Sequence, residues 1–372
     1  MPKEARPVRR GKMDFAILIT IFVLLAVGVV MLFSASYYYA ELQKDDGLLY
    51  VRKQLMYIAL ALPVMLVLTR VDYRVLLKFK LPLMILGGSI VLLIAVLIFG
   101  KDTNGAKRWL DIAGLSVQPS EIAKFGLIIY MSAFMSSRPQ IMKDVKHGLL
   151  PMLGVIGVIC VLIMSQPNMS MAVIVGMMGV IMLYIGGVDL KYIGLLILAG
   201  ILLFILLAVI EPYRLARLVS FRDPWADAEK KGYQLIQSLY ALGTGGLFGQ
   251  GLNNSRQKLL YLTYGESDFV FAIVGEELGF IGAGIVILLY AFIVYRGMRI
   301  AIRCKDRFGS MLAAGITTVF ALQVLVNVGV VTGSMPTTGQ ALPFISAGGS
   351  SLLIFMSAMG VLLNISRDIG EL

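Results

Sequence analysis

Two cysteines and one histidine in 372 residues leave little material for thiol or imidazole chemistry. Cys160 lies in an apolar run and Cys304 in a basic segment, so neither a disulfide framework nor a thiolate metal site is expected. His147 sits in a lysine-containing loop and reads as a solvated residue. Charge is scarce as well: 15% of the residues are Asp, Glu, Lys or Arg, against about a quarter in soluble domains. Walker A, a strand-borne GxGxxG, HExxH and Cys/His metal spacings are absent. The net charge of +11 resides in short clusters, and no compact basic domain exists to bind nucleic acid. Apolar residues are what the chain has in excess, at 58% with a mean hydropathy of +0.85. They form runs of about 20 residues between basic clusters, the pattern of a multi-pass membrane protein with positive loops facing the cytoplasm and anionic lipid.

The expectation is an all-α polytopic fold, a single integral membrane domain over residues 1–372, with about ten spans. They fall near residues 15–36, 54–68, 81–100, 120–137, 149–164, 169–185, 192–210, 268–295, 310–331 and 344–365. Residues 1–14 are basic, but the run behind them is long and lacks a small-residue cleavage site, so it reads as a retained first span. An even count with basic inner loops places both termini in the cytoplasm. Residues 211–267 then form one large extracellular loop between the seventh and eighth spans. Within it, Tyr233, Ile236, Tyr240 and Ala241 recur at helical spacing and suggest an amphipathic helix at the membrane interface. The glycine-rich run 243–251 reads either as a flexible linker or as a backbone nest for a diphosphate. No strand pattern competes, and no strong internal repeat points to an inverted-repeat transporter.

Polar residues concentrate on the expected outer side. Lys107 and Arg108 lie in one loop, Arg214, Arg217 and Arg222 in the large loop, and Arg256 and Lys258 shortly before Asp268. Such cations suit an anionic lipid-linked ligand, or simply outer-leaflet headgroups. Asp268, at the mouth of an apolar helix, can cap that helix or face a substrate. Glu276 and Glu277 follow deeper and read as members of structural ion pairs. Glu121 and Lys124, three residues apart, share a helix face and can pair there; near the outer end of a span, their cost suggests that they line a cavity.

Six segments carry a resemblance: QPSEIAK at 118–124, SQPN at 165–168, GYQLIQS at 232–238, GLFGQGL followed by SRQKLLYL, GESDFVFAIVGEELG, and PTTGQALPFISAGGSSLL at 336–353. Together they resemble the SEDS family (shape, elongation, division and sporulation), in matching order over essentially the whole chain, and lie closer to its FtsW/SpoVE branch than to RodA. The resemblance implies a peptidoglycan glycosyltransferase of the bacterial cytoplasmic membrane that polymerises lipid II onto an undecaprenyl-diphosphate-linked glycan strand during cell division or sporulation. It implies partners too: a class B penicillin-binding protein (a transpeptidase), other divisome membrane proteins and membrane lipids. Asp268 matches the family's essential aspartate. Gln118, Ser120, Glu121, Lys124 and Ser346 fall on its cavity motifs, and Lys107, Arg108, Arg214, Arg217, Arg256 and Lys258 are the candidates for binding diphosphate. No cofactor or metal held by a dedicated site is implied; a divalent cation, Mg2+ or Mn2+, bridging diphosphate oxygens is compatible with this chemistry.

The chain departs from the family pattern at four places: Asn253 where glycine is common, Thr263 where proline is, Met171 where threonine is, and Ala347 where tyrosine is. Two readings from other classes stand beside the polymerase: a lipid II flippase and a non-catalytic divisome scaffold.

Overall fold

The computed structural model describes residues 11–103, 105–112, 114–210, 220–230, 232–259, 261–263 and 265–369. Eleven α-helices order the described chain: α1 (Phe15–Lys44), α2 (Leu49–Leu68), α3 (Leu81–Phe99), α4 (Pro119–Ser137), α5 (Leu150–Met164), α6 (Met169–Gly186), α7 (Leu190–Ile210), α8 (Tyr233–Gly245), α9 (Val270–Arg303), α10 (Arg307–Val331) and α11 (Gly349–Ser366). Nine helical segments among the described residues are long and apolar enough to cross a membrane. The fourth expected span, α4, is not one of them, although it is 19 residues long. It packs on α3, α10, α6 and α11, and buries Ser120, Lys124 and Ile128 completely. A helix enclosed by other helices needs no apolar outer surface, so it can carry Glu121 and Lys124. Helix α7 is the opposite case: it packs mainly on α6 and buries only 6% of its apolar window.

Both ends of the described chain lie at one end of the bundle. The Gly11 amide donates to the Arg367 carbonyl (2.8 Å), and the Asp14 amide to Ser366 Oγ (3.0 Å). Asp14 also caps α1 through the amides of Ala16 and Ile17 and pairs with Arg296 (2.8 Å), tying α1 to α9. At the same end the Tyr73 hydroxyl lies 3.0 Å from both Asp306 Oδ2 and Asp368 Oδ2, while Arg74 pairs with Asp368 (2.8 Å).

Three features differ from the sequence expectation. The stretch between α3 and α4 is a three-stranded antiparallel sheet: β1 (Lys101–Thr103), β2 (Ala106–Ile112) and β3 (Leu115–Val117). Gly105 (φ 75°) and Gly114 (φ 82°) take the left-handed conformations at its two turns. Two strands of only three residues leave no alternation to read in the sequence. Helix α8 exists where expected, and it is packed into the bundle rather than standing free of it. Leu235, Ile236, Ser238 and Ala241 are buried, the helix packs along α9, and Ser238 Oγ donates to the Val331 carbonyl at the end of α10 (2.8 Å).

The eighth span, in turn, is broken. It starts at Val270 and runs to Arg303, but Gly279 interrupts it with φ 69° and ψ −171°, a conformation available in practice only to glycine. The helix reverses nothing there; instead the 246–251 segment is spliced into the break. Gln250 N and Gly251 N donate to the carbonyls of Glu276 and Glu277, and Phe280 N and Ile281 N to those of Gly246 and Leu247, at 2.8 to 3.1 Å. The glycine-rich run is therefore neither a free linker nor an open nest, since these amides already have carbonyl partners. A methyl group at position 279 would come within 2.6 Å of the Leu247 oxygen as well as demanding a forbidden backbone. Gly279→Ala is expected to cost about 3 kcal/mol or more, read as a lowered thermal midpoint of the detergent-solubilised protein.

Candidate active site

Asp268 is half-buried and sits two residues before α9, whose N-cap position is Phe269. Its segment is held from one side by the coil leading to α11. Three successive carbonyls each receive a donor: Glu266 O from Ala347 N (3.0 Å), Ser267 O from Ser346 Oγ (2.5 Å) and Asp268 O from Asn327 Nδ2 (2.8 Å). Ser346 Oγ also accepts from Leu342 N (2.8 Å), so this hydroxyl organises backbone on both of its sides. Gly339 passes so close that a Cβ there would stand 3.2 Å from Asp268 Oδ2. The carboxylate is thus fixed at its main chain while its side chain keeps partial access to solvent.

The next acidic pair anchors the loop. Glu277 is fully buried and paired with Lys258 Nζ (3.2 Å); its oxygens also accept from Ser34 Oγ (2.5 Å), Ser255 N (3.2 Å) and Asn253 N (3.0 Å). Lys258 Nζ donates further to Ser34 Oγ (2.9 Å) and Asn253 Oδ1 (2.6 Å), which occupies all three ammonium donors. Glu276 accepts from Ser255 Oγ (2.5 Å) and Arg256 N (2.9 Å). Asn253 adopts φ 64°, a left-handed conformation that asparagine tolerates, which accounts for a position where glycine is common.

The α4 pair forms a third cluster. Lys124 Nζ contacts Glu121 Oε2 (2.9 Å) and Gln323 Oε1 (2.7 Å), and lies 4.7 Å from the Phe355 ring centre. Gln323 Nε2 donates onward to the Ala341 carbonyl (3.1 Å). Gln118 N-caps α4 and its amide donates to Ser350 Oγ (3.2 Å), whereas Ser120 is buried beside it.

The expected cations separate by environment. Lys258 is buried in the ion pair. Arg256, two residues earlier, is exposed. Arg108 binds the α5–α6 joint, donating from Nε to the Gln166 carbonyl (3.2 Å) and from Nη2 to that of Pro167. Lys107 is half-buried on β2, in register with Asp102. Arg214 and Arg217 lie outside the described residues. Of the other departures from the family pattern, Thr263 Oγ1 accepts from Gln234 Nε2 (2.9 Å), tying the loop to α8, and Met171 is buried in the core. Among the described residues no group of three or more His, Cys, Asp or Glu is placed to hold a metal ion.

A cavity of about 220 Å3 adjoins this coil, lined by Tyr50, Lys53, Gln54, Tyr57, Trp109, Ser116 and the backbone of Ala347 to Gly349. Its lining reaches Gly349, the first residue of α11, whose N-terminal dipole favours an anion, and includes the exposed cation Lys53. Nothing in the sequence marks Lys53, Gln323, Asn327 or this cavity; an amide at helical spacing looks like any polar residue until its partners are known.

Glu266 is a further acid beside Asp268. It is buried, and burial raises its carboxyl above the ordinary value of 4.5. The folded state therefore favours the protonated form, and the cost of ionising it is present above its folded pKa and absent below 4.5. Glu266→Gln is expected to raise the thermal midpoint by about 1–3 °C near pH 8, with the gain shrinking to nothing as the pH falls below the ordinary carboxylate range, as followed by differential scanning fluorimetry.

A family model described as cell cycle protein, covering FtsW, RodA and SpoVE, matches residues 15–370. Stage V sporulation protein E of Bacillus subtilis (strain 168) is 38% identical over 354 residues, covering 95% of this chain and 97% of that protein. The probable peptidoglycan glycosyltransferase FtsW of Trichlorobacter lovleyi is 39% identical over 366 residues, covering 98% and 96%. A solved chain from work on polymerization and crosslinking by a peptidoglycan synthase complex superposes with a TM-score of 0.78 at 27% identity, covering 96% of this chain and 98% of that one. The rod shape determining protein RodA of Thermus thermophilus gives 0.70 at 25% identity, covering 96% and 98%.

Proposed function

Because the chain belongs to the FtsW/RodA/SpoVE family of cell cycle proteins, we propose that it is a peptidoglycan glycosyltransferase that polymerises lipid II in the bacterial cytoplasmic membrane. The observation that carries this reading is Asp268: a half-exposed carboxylate at the head of a membrane helix, with three successive carbonyls pinned around it. In the reaction, the 4-hydroxyl of the incoming sugar loses its proton to the Asp268 carboxylate as its oxygen bonds to the anomeric carbon of the growing strand. The bond from that carbon to the diphosphate oxygen breaks, and its electron pair leaves with undecaprenyl diphosphate. An alcohol needs its proton removed in step with attack, while a diphosphate needs only charge stabilisation.

The leaving group is served by cations that remain wholly or partly exposed. Arg256 and Lys107 border the outer face, and Lys53 stands by the α11 N-terminus at the cavity. Lys258 and the Glu121–Lys124 pair act on the scaffold instead, because their charges are already compensated within the protein. A Mg2+ or Mn2+ ion would arrive with the substrate diphosphate. The common end of residues 11 and 367 faces the cytoplasm, the described loop residues 220–230 and 232–259 face outward, and the partner is a class B penicillin-binding protein that takes the nascent strand for crosslinking.

The test is electrophoresis of labelled lipid II incubated with the purified protein and its cognate partner, with moenomycin added to silence contaminating polymerases. A ladder of glycan strands supports the reading. No ladder, together with movement of lipid II between leaflets of protein-loaded vesicles, would replace it with a transporter.

A further inference from the structure

Helix α10 carries two buried amides one turn apart, Gln323 and Asn327, each 1% exposed. The orientation of both follows from their partners. Gln323 faces the Lys124 ammonium, which only donates, and the Ala341 carbonyl, which only accepts, so its oxygen must meet the lysine and its nitrogen the carbonyl. Asn327 faces two carbonyls, Asp268 O at 2.8 Å and Gln340 O at 2.7 Å, so its NH2 group must supply one hydrogen to each. Spacing by four residues places both side chains on one face of the helix. That face therefore clamps the adjacent carbonyls 340 and 341 of the coil, the main chain of Asp268, and, through Gln323, the Glu121–Lys124 pair of α4.

We propose that Asn327 is a positioning residue for the transfer reaction, fixing the direction of the Asp268 carboxylate through its carbonyl, and that Gln323 tethers this clamp to the α4 ion pair. The inference rests on the reading of Asp268 as general base. Asn327 joins the Asp268 segment to the coil before α11 through a single NH2 group, so its loss removes one hydrogen bond from each. The Asp268 carbonyl is the last of the three that hold the segment, and the one that sets where its own side chain points. The neighbouring donors, Ser346 Oγ and Ala347 N, remain when Asn327 is removed, so the segment stays in place while the carboxylate loses its fixed aim. A displacement of about 1 Å in a reacting group can cost a hundredfold in rate.

The experiment uses the full chain with its partner and labelled lipid II. Asn327→Leu, which keeps the size and removes both donors, is expected to lower kcat by about 10–100-fold with KM changed by less than about threefold. Its solvent deuterium isotope effect on kcat rises above that of the wild type, because proton removal by a misaligned base becomes the slower step. Gln323→Leu gives a smaller loss of the same kind. A purely structural role would reduce the amount of active protein and leave the isotope effect unmoved. Should Asn327→Leu not be recovered folded, Asn327→Ser gives the same readout with a smaller side chain. Wild-type kcat, or a reduced kcat with an unchanged isotope effect, in the folded variant overturns the positioning role. Absence of polymer from the wild-type protein overturns the underlying reading instead.

Discussion

Glu277→Gln is expected to lower stability by about 3–5 kcal/mol, the largest effect of any substitution away from Asp268. The reason is the asymmetry of a buried pair. With Glu277 neutral, the Lys258 ammonium remains at 8% exposure among Ser34, Asn253 and a glutamine amide, with no compensating charge. Two backbone amides, Asn253 N and Ser255 N, lose their charged acceptor at the same time. The loop from 253 to 258, which precedes Asp268, would then detach from α1 and α9. Replacing both partners, as in Lys258→Met with Glu277→Gln, removes the orphaned charge, and most of the lost stability should return. A thermal melt of the two single variants and the double variant measures this directly. Equal losses that simply add in the double variant would show that the two residues do not act as a pair.

Helices were legible in the sequence because a bilayer imposes a length on them: runs of about 20 apolar residues announce themselves without any partner. Helix α4 reads as a span from the apolar stretch behind Lys124, yet among the described residues it is not one of the nine segments long and apolar enough to cross a membrane. The boundaries were less readable. Helix α1 continues past Ser36 to Lys44, because tyrosines and alanine sustain a helix as well outside an apolar run as within one. The break at Gly279 was invisible, since nothing distinguishes that glycine from Gly282 or Gly284 in the same stretch; what selects it is the approach of the 246–251 segment. At the candidate site, the motif singles out Asp268, but the cations around it read alike in the sequence. Arg256 and Lys258 are two residues apart and read alike, yet one is exposed and the other is enclosed by Ser34 and Glu277, residues contributed by distant helices. Long-range partners of this kind also hid Asn327 and Gln323.

Asp268→Asn is the second substitution with a large consequence, and it acts on the rate. Asparagine keeps the shape of the side chain and leaves the main-chain bonds from Asn327 and Ser346 in place, so the fold and the lipid-binding surfaces should persist. It removes the negative charge and, with it, the capacity to take up a proton. General base catalysis contributes about 10²–10⁴ in rate, and kcat should fall by that factor with KM little changed and the thermal midpoint within about 2 °C of the wild type. The most direct measurement of the central claim is therefore the glycan ladder formed from labelled lipid II by wild-type and Asp268→Asn proteins, each folded, bound to the partner and treated with moenomycin. The expected result is a ladder from the wild type and none from the variant over the same interval. A ladder of equal length and yield from Asp268→Asn would contradict the assignment of Asp268 as the base.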